Sequence, residues 1–407
     1  MKKGFILTLL ASIISLLLIA GCENNYPDSL WDANYNSKPT PVISSIEPAD
    51  FTFSGISTIT INGQNFSSVA AENQVFFDGK AGTVISSSAT QLEVKVPVLV
   101  ADSINIAVRV DGAFLYGYFS PYALKDAAVI YSKVDEYVDG AGLAVDKDDR
   151  IYFFDTGSRN FTSIAAPESA LVTFAPGGTP VNTTGMRFGP DGAIWHLRKN
   201  KNIYRIYEGG NREIFTKVDE NVTDLDFDQN LTLWVGGTGE AIFSVNITTG
   251  STHLAEEYTD YIISAVRVYN NELYVAAYWA GDGSPTSFAE GIWKHAITSD
   301  TTLGARQEVF DWASYVGEGG ATILSMTFDE DGILYVGADK DVAITMVDPV
   351  SKTTEPLYPE ILVPPATYIM WGPGNFLYVN RHSDDVTVRN FVRIETVKNG
   401  APYFGMP

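Results

Sequence analysis

The chain is poor in cysteine, histidine and positive charge: its 407 residues hold one Cys, four His and 27 Lys+Arg against 49 Asp+Glu. A single cysteine excludes an intrachain disulfide. The histidines stand at 196, 253, 295 and 382, with no two at helical or hairpin ligand spacing, which argues against a zinc-type site. His196 and His295 fall within strand-like runs and read as satisfied structural residues. A net charge of −22, or −24 once a leader carrying Lys2 and Lys3 is removed, repels phosphate backbones and excludes nucleic acid as a partner. Also missing are the Gly-x-Ser-x-Gly elbow, a phosphate-binding loop and the paired histidines of zinc hydrolases. What is plentiful is Gly, Thr, Tyr and Val, with 12% aromatic residues, a composition that leans towards strands and, at this length, towards two or more domains.

The lone cysteine has a context. Lys2 and Lys3 precede an apolar run over residues 5–19 of signal-peptide length, followed by Leu18-Ile19-Ala20-Gly21-Cys22. This resembles the lipobox of bacterial lipoproteins, in which small residues admit the signal peptidase and the thiol accepts diacylglycerol. The resemblance implies a leader over 1–21, lipidation at Cys22 and an exported protein anchored to the cell envelope, at the outer membrane or cell surface. Residues 22–40 are polar, contain Pro27 and Pro39 and lack periodicity, as expected of a tether.

Short alternating runs then begin. Thr58 to Asn62 alternates polar and apolar and is broken by Gly63-Gln64-Asn65; Val75-Phe76-Phe77 ends at the tight-turn pair Asp78-Gly79. Leu92 to Val96 and Ile104 to Val110 continue the series, predicting an immunoglobulin-like sandwich over 41–122. The segments "ITINGQNF" (59–66), "VFFDGKAGTV" (75–84) and "SATQLEVKVP" (88–97), after Pro41-Val42-Ile43, resemble the IPT/TIG family in their order. Such modules serve as spacers or binding platforms.

From residue 127 to 407 one motif recurs: an apolar strand end, a turn rich in Asp, Asn or Gly, then an aromatic strand. The aligned aromatics are Tyr152, Trp195, Trp234, Tyr274, Tyr335 and Tyr378, spaced by 39 to 43 residues except for one interval of 61. Six units of four short strands predict a closed six-bladed β-propeller, so the chain as a whole is expected to be all-β. The repeats resemble NHL and gluconolactonase-like propellers. The strand-like residues 129–134 lie ahead of the first repeat and are expected to complete the last blade. The turn acids Asp146, Asp191, Asp228 and Asp329 recur with the motif, which assigns them to the turns rather than to catalysis.

The fourth unit is longer by about 20 residues, placed at 279–290 and 311–322. With strands A to D counted outwards, B–C and D–A connections open on one face, so both insertions are expected to rise beside the axis. They and their neighbours supply the candidate ligand-binding residues Tyr278, Trp279, Trp312, Tyr315, Arg198, Arg381 and His382. Aromatic rings suit the apolar faces of sugars, and the cations suit uronic acid carboxylates. The gluconolactonase-like metal site has no counterpart, because the positions leading each inner strand are Ala141, Thr184, Thr223, Ser264, Leu324 and Thr367. No catalytic residue, metal or cofactor is assigned. The expectation is a lipid-anchored surface protein that binds extracellular carbohydrate or a related polymer; a protein-interaction scaffold and a propeller hydrolase or lactonase are the alternatives.

Overall fold

The computed structural model describes residues 36–132, 134, 138–178, 183–359 and 361–405. The leader, Cys22 and most of the tether lie outside them.

The first module is a β-sandwich whose eight strands run from Val42–Glu47 to Gly117–Lys125. Strand Lys80–Ser87 belongs to both sheets: Lys80 to Gly82 pair with Asn73–Phe77, and Thr83 to Ser87 with Gln91–Lys95. Alternation sends Ile59, Ile61, Leu92, Val94, Ile104, Ile106 and Val108 inwards, where all are buried.

Six four-stranded sheets follow, the fourth carrying one further short strand. Their inner strands are Gly140–Val145, Met186–Phe188, Asp224–Phe227, Tyr261–Tyr269, Ile323–Phe328 and Tyr368–Trp371. Each packs on the next and the sixth on the first, which closes the ring. The outermost strand of blade 6 is Ala128–Ile130, paired with Phe391–Glu395, so the two ends of the propeller segment are stitched into one sheet. That strand is shorter than the expected 129–134, because beyond Ile130 the chain turns inwards and buries Tyr131. Closure removes the exposed edges that an open array would leave.

The recurring turn acids explain how four of the six blades start. Asp228 Oδ1 accepts from the amides of Asn230 (2.8 Å) and Thr232 (2.9 Å), while Oδ2 accepts from Trp234 Nε1 (2.9 Å). Asp146 does the same with Asp148, Arg150 and Tyr152, and Asp329 with Asp331, Ile333 and Tyr335. In blade 2, Asp191 reaches Ala193 and Trp195 Nε1. One carboxylate thus fixes a turn and orients the aromatic of the next strand, and charged acceptors make such bonds strong.

Blade 4 departs from expectation in two ways. Its extra residues fall in three places, because strand Glu290–Ser299 is prolonged into a hairpin with Thr302–Leu303 before the fourth strand, Gln307–Asp311. The segment after Asp311 forms a helical turn, Trp312–Val316, capped by Asp311 accepting from Ser314 N (3.0 Å) and ended by Gly317 at φ 77°. A polar cap before a five-residue helix carries no periodicity, so the strand-rich context masked it.

The sandwich sits against blades 5 and 6. Phe53, Ile56 and Val98 pack on a cluster with Leu357, Tyr358 and Leu362, and Tyr358 Oη donates to Asp126 Oδ1 (2.7 Å). Lys95 pairs with Glu355 across the junction.

Candidate functional site

One end of the ring axis is closed by the chain itself. The C-terminal segment runs under the A–B turns: Ala401 N donates to Phe328 O (3.0 Å) and Tyr403 Oη to Phe188 O (2.6 Å). Above Tyr403 lie the buried side chains of Arg187, Asp224, Asp226 and Arg267. Asp224 Oδ2 accepts from Arg267 Nη1 (2.7 Å) and Val266 N (2.9 Å), and Asp226 Oδ2 accepts from Val268 N (2.8 Å). Burial pushes the Asp226 carboxyl up, opposed by the charges of Arg267 and Arg187. Arg267 is thus paired with Asp224, and the charges of Arg267 and Arg187 beside Asp226 supply the positive charge a cation would bring.

The face carrying the B–C and D–A connections is open, and the candidate residues separate there into distinct groups. A cleft of 590 Å³ crosses the top of blade 4, from Thr223 and Thr238 of blade 3 to Thr322 and Leu324 of blade 5. Tyr278, Glu290 and the end of the short helix line it. Tyr278 and Glu290 are direct partners on adjacent strands. Glu290 Oε1 accepts from Ile323 N (2.7 Å). Desolvation, with the nearby charge of Asp339, raises its carboxyl from 4.5 to about 7 against the opposing hydrogen bond of Ile323. Burial and Glu290 together raise the Tyr278 phenol, which is 37% exposed.

Of the other aromatics, successive strand residues point to opposite sides, so Trp279 turns away from Tyr278. Its ring lies edge-on to Tyr261 at 5.1 Å, and its indole N–H donates to Gly283 O (3.2 Å). Trp312 is 1% exposed, packed in the blade 4–5 core with Nε1 donating to Ala321 O (2.7 Å). It has no surface for a ligand, and this corrects its place among the candidates. Tyr315, on the same helical turn, is 43% exposed and packs on Phe310 and Trp312.

The cations divide likewise. Arg381 is buried, its Nη2 donating to Pro364 O (2.9 Å), and is thus also removed from the ligand surface. His382 Nδ1 lies 3.0 Å from Asp139 Oδ1, which Arg389 approaches at 3.7 Å; Thr156 Oγ1 donates to Asp139 Oδ2 (2.7 Å). Arg198 stands over the ring of Tyr204 on blade 2, at 5.6 Å, with Arg212 at 5.2 Å from the same ring. Glu290, Asp139 and Arg212 were not singled out in the sequence. None sits in a motif, and each gains its setting from a residue on another strand or blade.

The histidines also differ from one another. His295 is satisfied, with Nε2 2.8 Å from Tyr258 Oη and Nδ1 2.9 Å from Gly304 O. His196 is fully buried and neither ring nitrogen makes a hydrogen bond of ordinary geometry, contrary to the expectation of a satisfied residue. Desolvation, with Arg212 and Arg198 close by, lowers its pKa to about 3.

Fold and site together define a two-module all-β protein, an immunoglobulin-like sandwich followed by a six-bladed propeller with one overgrown blade. Residues 41–124 match the IPT/TIG domain family. No curated protein matches the chain. Among solved structures it is similar to a protein of unknown function from Bacteroides thetaiotaomicron, at 13% identity and TM-score 0.51, over 89% of this chain and 100% of that one. Two auxiliary nutrient binding proteins also align. The one from Bacteroides ovatus has 13% identity and TM-score 0.49, over 88% of this chain and 99% of its own. The one from Bacteroides thetaiotaomicron has 11% identity and TM-score 0.48, over 88% and 98%. At such identities the likeness is one of fold. Among the described residues, no helix is long and apolar enough to cross a membrane.

Proposed function

We propose that this is a non-catalytic binding protein of the cell surface, lipid-anchored through Cys22, that takes extracellular carbohydrate or a related polymer on the open propeller face. The observation that carries the reading is the cleft over blade 4. It has the volume of a one- or two-ring ligand, an exposed phenol at one wall and a buried carboxyl beside it. A sugar ring offers an apolar CH face to Tyr278 and hydroxyls to Glu290. One carboxyl oxygen is held by Ile323 N, and the other makes no hydrogen bond within the described protein. Gly317, Gly319 and Gly320 leave backbone groups accessible on the opposite wall.

The test is retention on a polysaccharide panel by affinity electrophoresis, comparing wild type with Tyr278→Ala and Glu290→Gln. Each substitution is expected to weaken binding by roughly tenfold or more, about 1.4 kcal/mol. A panel that retains neither wild type nor variants removes the carbohydrate reading, and equal retention of all three proteins removes this cleft as the site. The anchor is tested separately: labelling with a radioactive fatty acid is expected in wild type and lost in Cys22→Ser, whereas labelling of both refutes lipidation at that thiol.

A further inference from the structure

On the sandwich, large apolar side chains reach solvent together where strand Ala101–Val110 turns back into strand Gly117–Lys125. Leu115, Tyr116 and Tyr118 are 65%, 39% and 68% exposed, next to Phe114, which is exposed as well. Strand register carries the patch along the outer face of the sheet, because Tyr118 pairs with Ala107 and Ala107 with Phe76. The rings of Phe76, Tyr116 and Tyr118 follow one another at centroid distances of 6.4 and 6.2 Å. Ala107 and Ala81, which flank Phe76 in that row, are too small to cover it. A contiguous apolar surface of this kind marks a contact with another phase or molecule.

The position of the patch decides what it faces. The end of the tether is clasped to the same hairpin: Lys38 N donates to Gly112 O (2.8 Å), Phe114 N donates to Ser37 Oγ (3.0 Å), and Lys38 bridges Ala113 in parallel. Pro41 then passes so close to Gly117 that a Cβ there would stand 2.4 Å from Pro41 O. Cys22 is only 15 residues ahead of Ser37, a span of at most about 50 Å even when fully extended. A lipid on Cys22 therefore holds this end of the sandwich, with its exposed rings, within that reach of the bilayer. The charged groups beside the hairpin pair with one another, Lys38 with Glu72 (3.2 Å) and Arg109 with Asp111 (3.8 Å). Such a locally neutral surface suits zwitterionic headgroups, whereas the chain's overall charge of −22 opposes an anionic membrane.

We propose that Leu115, Tyr116 and Tyr118, backed by Phe76, form a membrane-docking surface that seats the sandwich on a zwitterionic phospholipid bilayer. This rests on the anchor at Cys22 for its setting and adds to it a second, non-covalent contact. Leu115 buries its side chain among the headgroups and acyl ends, and the phenol rings follow with their hydroxyls kept in water, the placement that amphipathic rings favour at a bilayer surface. Two points of attachment restrict how the sandwich swings on its tether, which a lipid alone does not. The surface is separate from the blade 4 cleft and does not depend on what that cleft holds.

The experiment separates docking from acylation. The chain from residue 22 onwards, with Cys22→Ser and a hexahistidine tag ahead of it, is held on phosphatidylcholine vesicles by a nickel-chelating lipid. Cys22 is the only cysteine of the sequence, so Ser120→Cys in that background gives a unique thiol for an environment-sensitive dye. Ser120 is exposed, two residues from Tyr118 and on the same face of the strand; Ser299→Cys, exposed in the blade 4 hairpin, is the control. On the vesicles the dye at 120 is expected to shift its emission to the blue and to be quenched by brominated lipid, and the dye at 299 to do neither. Leu115→Ser with Tyr118→Ser, both at exposed positions, is expected to melt with the parent protein and to abolish the response at 120. Without the tag, flotation of Cys22→Ser protein with phosphatidylcholine vesicles is expected to fall on the order of tenfold in that double variant. Equal responses at 120 and 299, or an unchanged response in the double variant, overturn the proposal. So does a dye at 120 that is already shielded in solution without vesicles, since the tether or a second copy of the chain would then cover the patch. Because the tag replaces the lipid, these outcomes hold whether or not Cys22 is acylated, and fatty-acid labelling reports on the anchor alone.

Discussion

Glu290 makes folding stability depend on pH in a direction opposite to most carboxylates. Its carboxyl is buried beside Tyr278 and near Asp339, and desolvation holds it up to about 7, from an ordinary 4.5. The folded protein therefore keeps this proton after the unfolded chain has lost it. The stabilising contribution is complete below the unfolded pKa, falls as pH rises from about 4.5 to about 7, and is exhausted above that. The shift corresponds to about 3 kcal/mol at 1.36 kcal/mol per unit. Glutamine keeps the acceptor for Ile323 N and cannot ionise. Glu290→Gln should therefore match wild type near pH 4.5 and exceed it at pH 8 by about 3 kcal/mol, a melting-temperature difference of roughly 5 °C. Asp149, Asp226 and Asp329 also have raised pKa values, so the informative quantity is the difference between variant and wild type across pH 4.5–8.5, measured by calorimetry or fluorescence. Parallel curves, or a variant less stable than wild type at pH 8, would refute the reasoning.

Two further substitutions probe how the blades are built. Asp228→Ala removes the acceptor for two turn amides and the Trp234 indole in a buried turn, and should cost about 3 kcal/mol or more in urea unfolding; a loss under 1 kcal/mol would show that the clamp is ornamental. Trp312→Ala should cost about 3–5 kcal/mol because it empties a buried site, whereas Tyr315→Ala, three residues on and half exposed, should cost about 1 kcal/mol or less. Equal losses would mean that the helical turn is not seated as described.

Much of the architecture was legible along the chain. Strand-length alternation marked the sandwich, and the return of a turn ahead of an aromatic marked each blade, with an acid in that turn in four of the six, because both signals are written within a few residues. Asp228 and Trp234 are six positions apart and bond directly, so their spacing survives in any reading of the chain. The excess length of blade 4 was equally plain, and so was the role of Ala128–Ile130 in closing the ring, apart from its extent.

The sites were much less legible. Tyr278 and Trp279 look alike in sequence, yet strand alternation sends one into the cleft and packs the other on Tyr261. Trp312 and Arg381 read as surface residues of long connections, and neighbouring elements cover both.

By itself the sequence determined the local order: strand periods, turn clamps, six repeats, one enlarged. Tertiary structure alone decided which polar groups meet. Glu290 acquires its raised pKa from burial, against the opposing bond of Ile323 N, 33 residues on, and Asp224 is held by Arg267, 43 residues on. Arg198 and Arg212 approach the same Tyr204 ring only because strand and turn fold back on one another. Charge and desolvation act through space, and ring closure sets those distances without leaving a period in the chain.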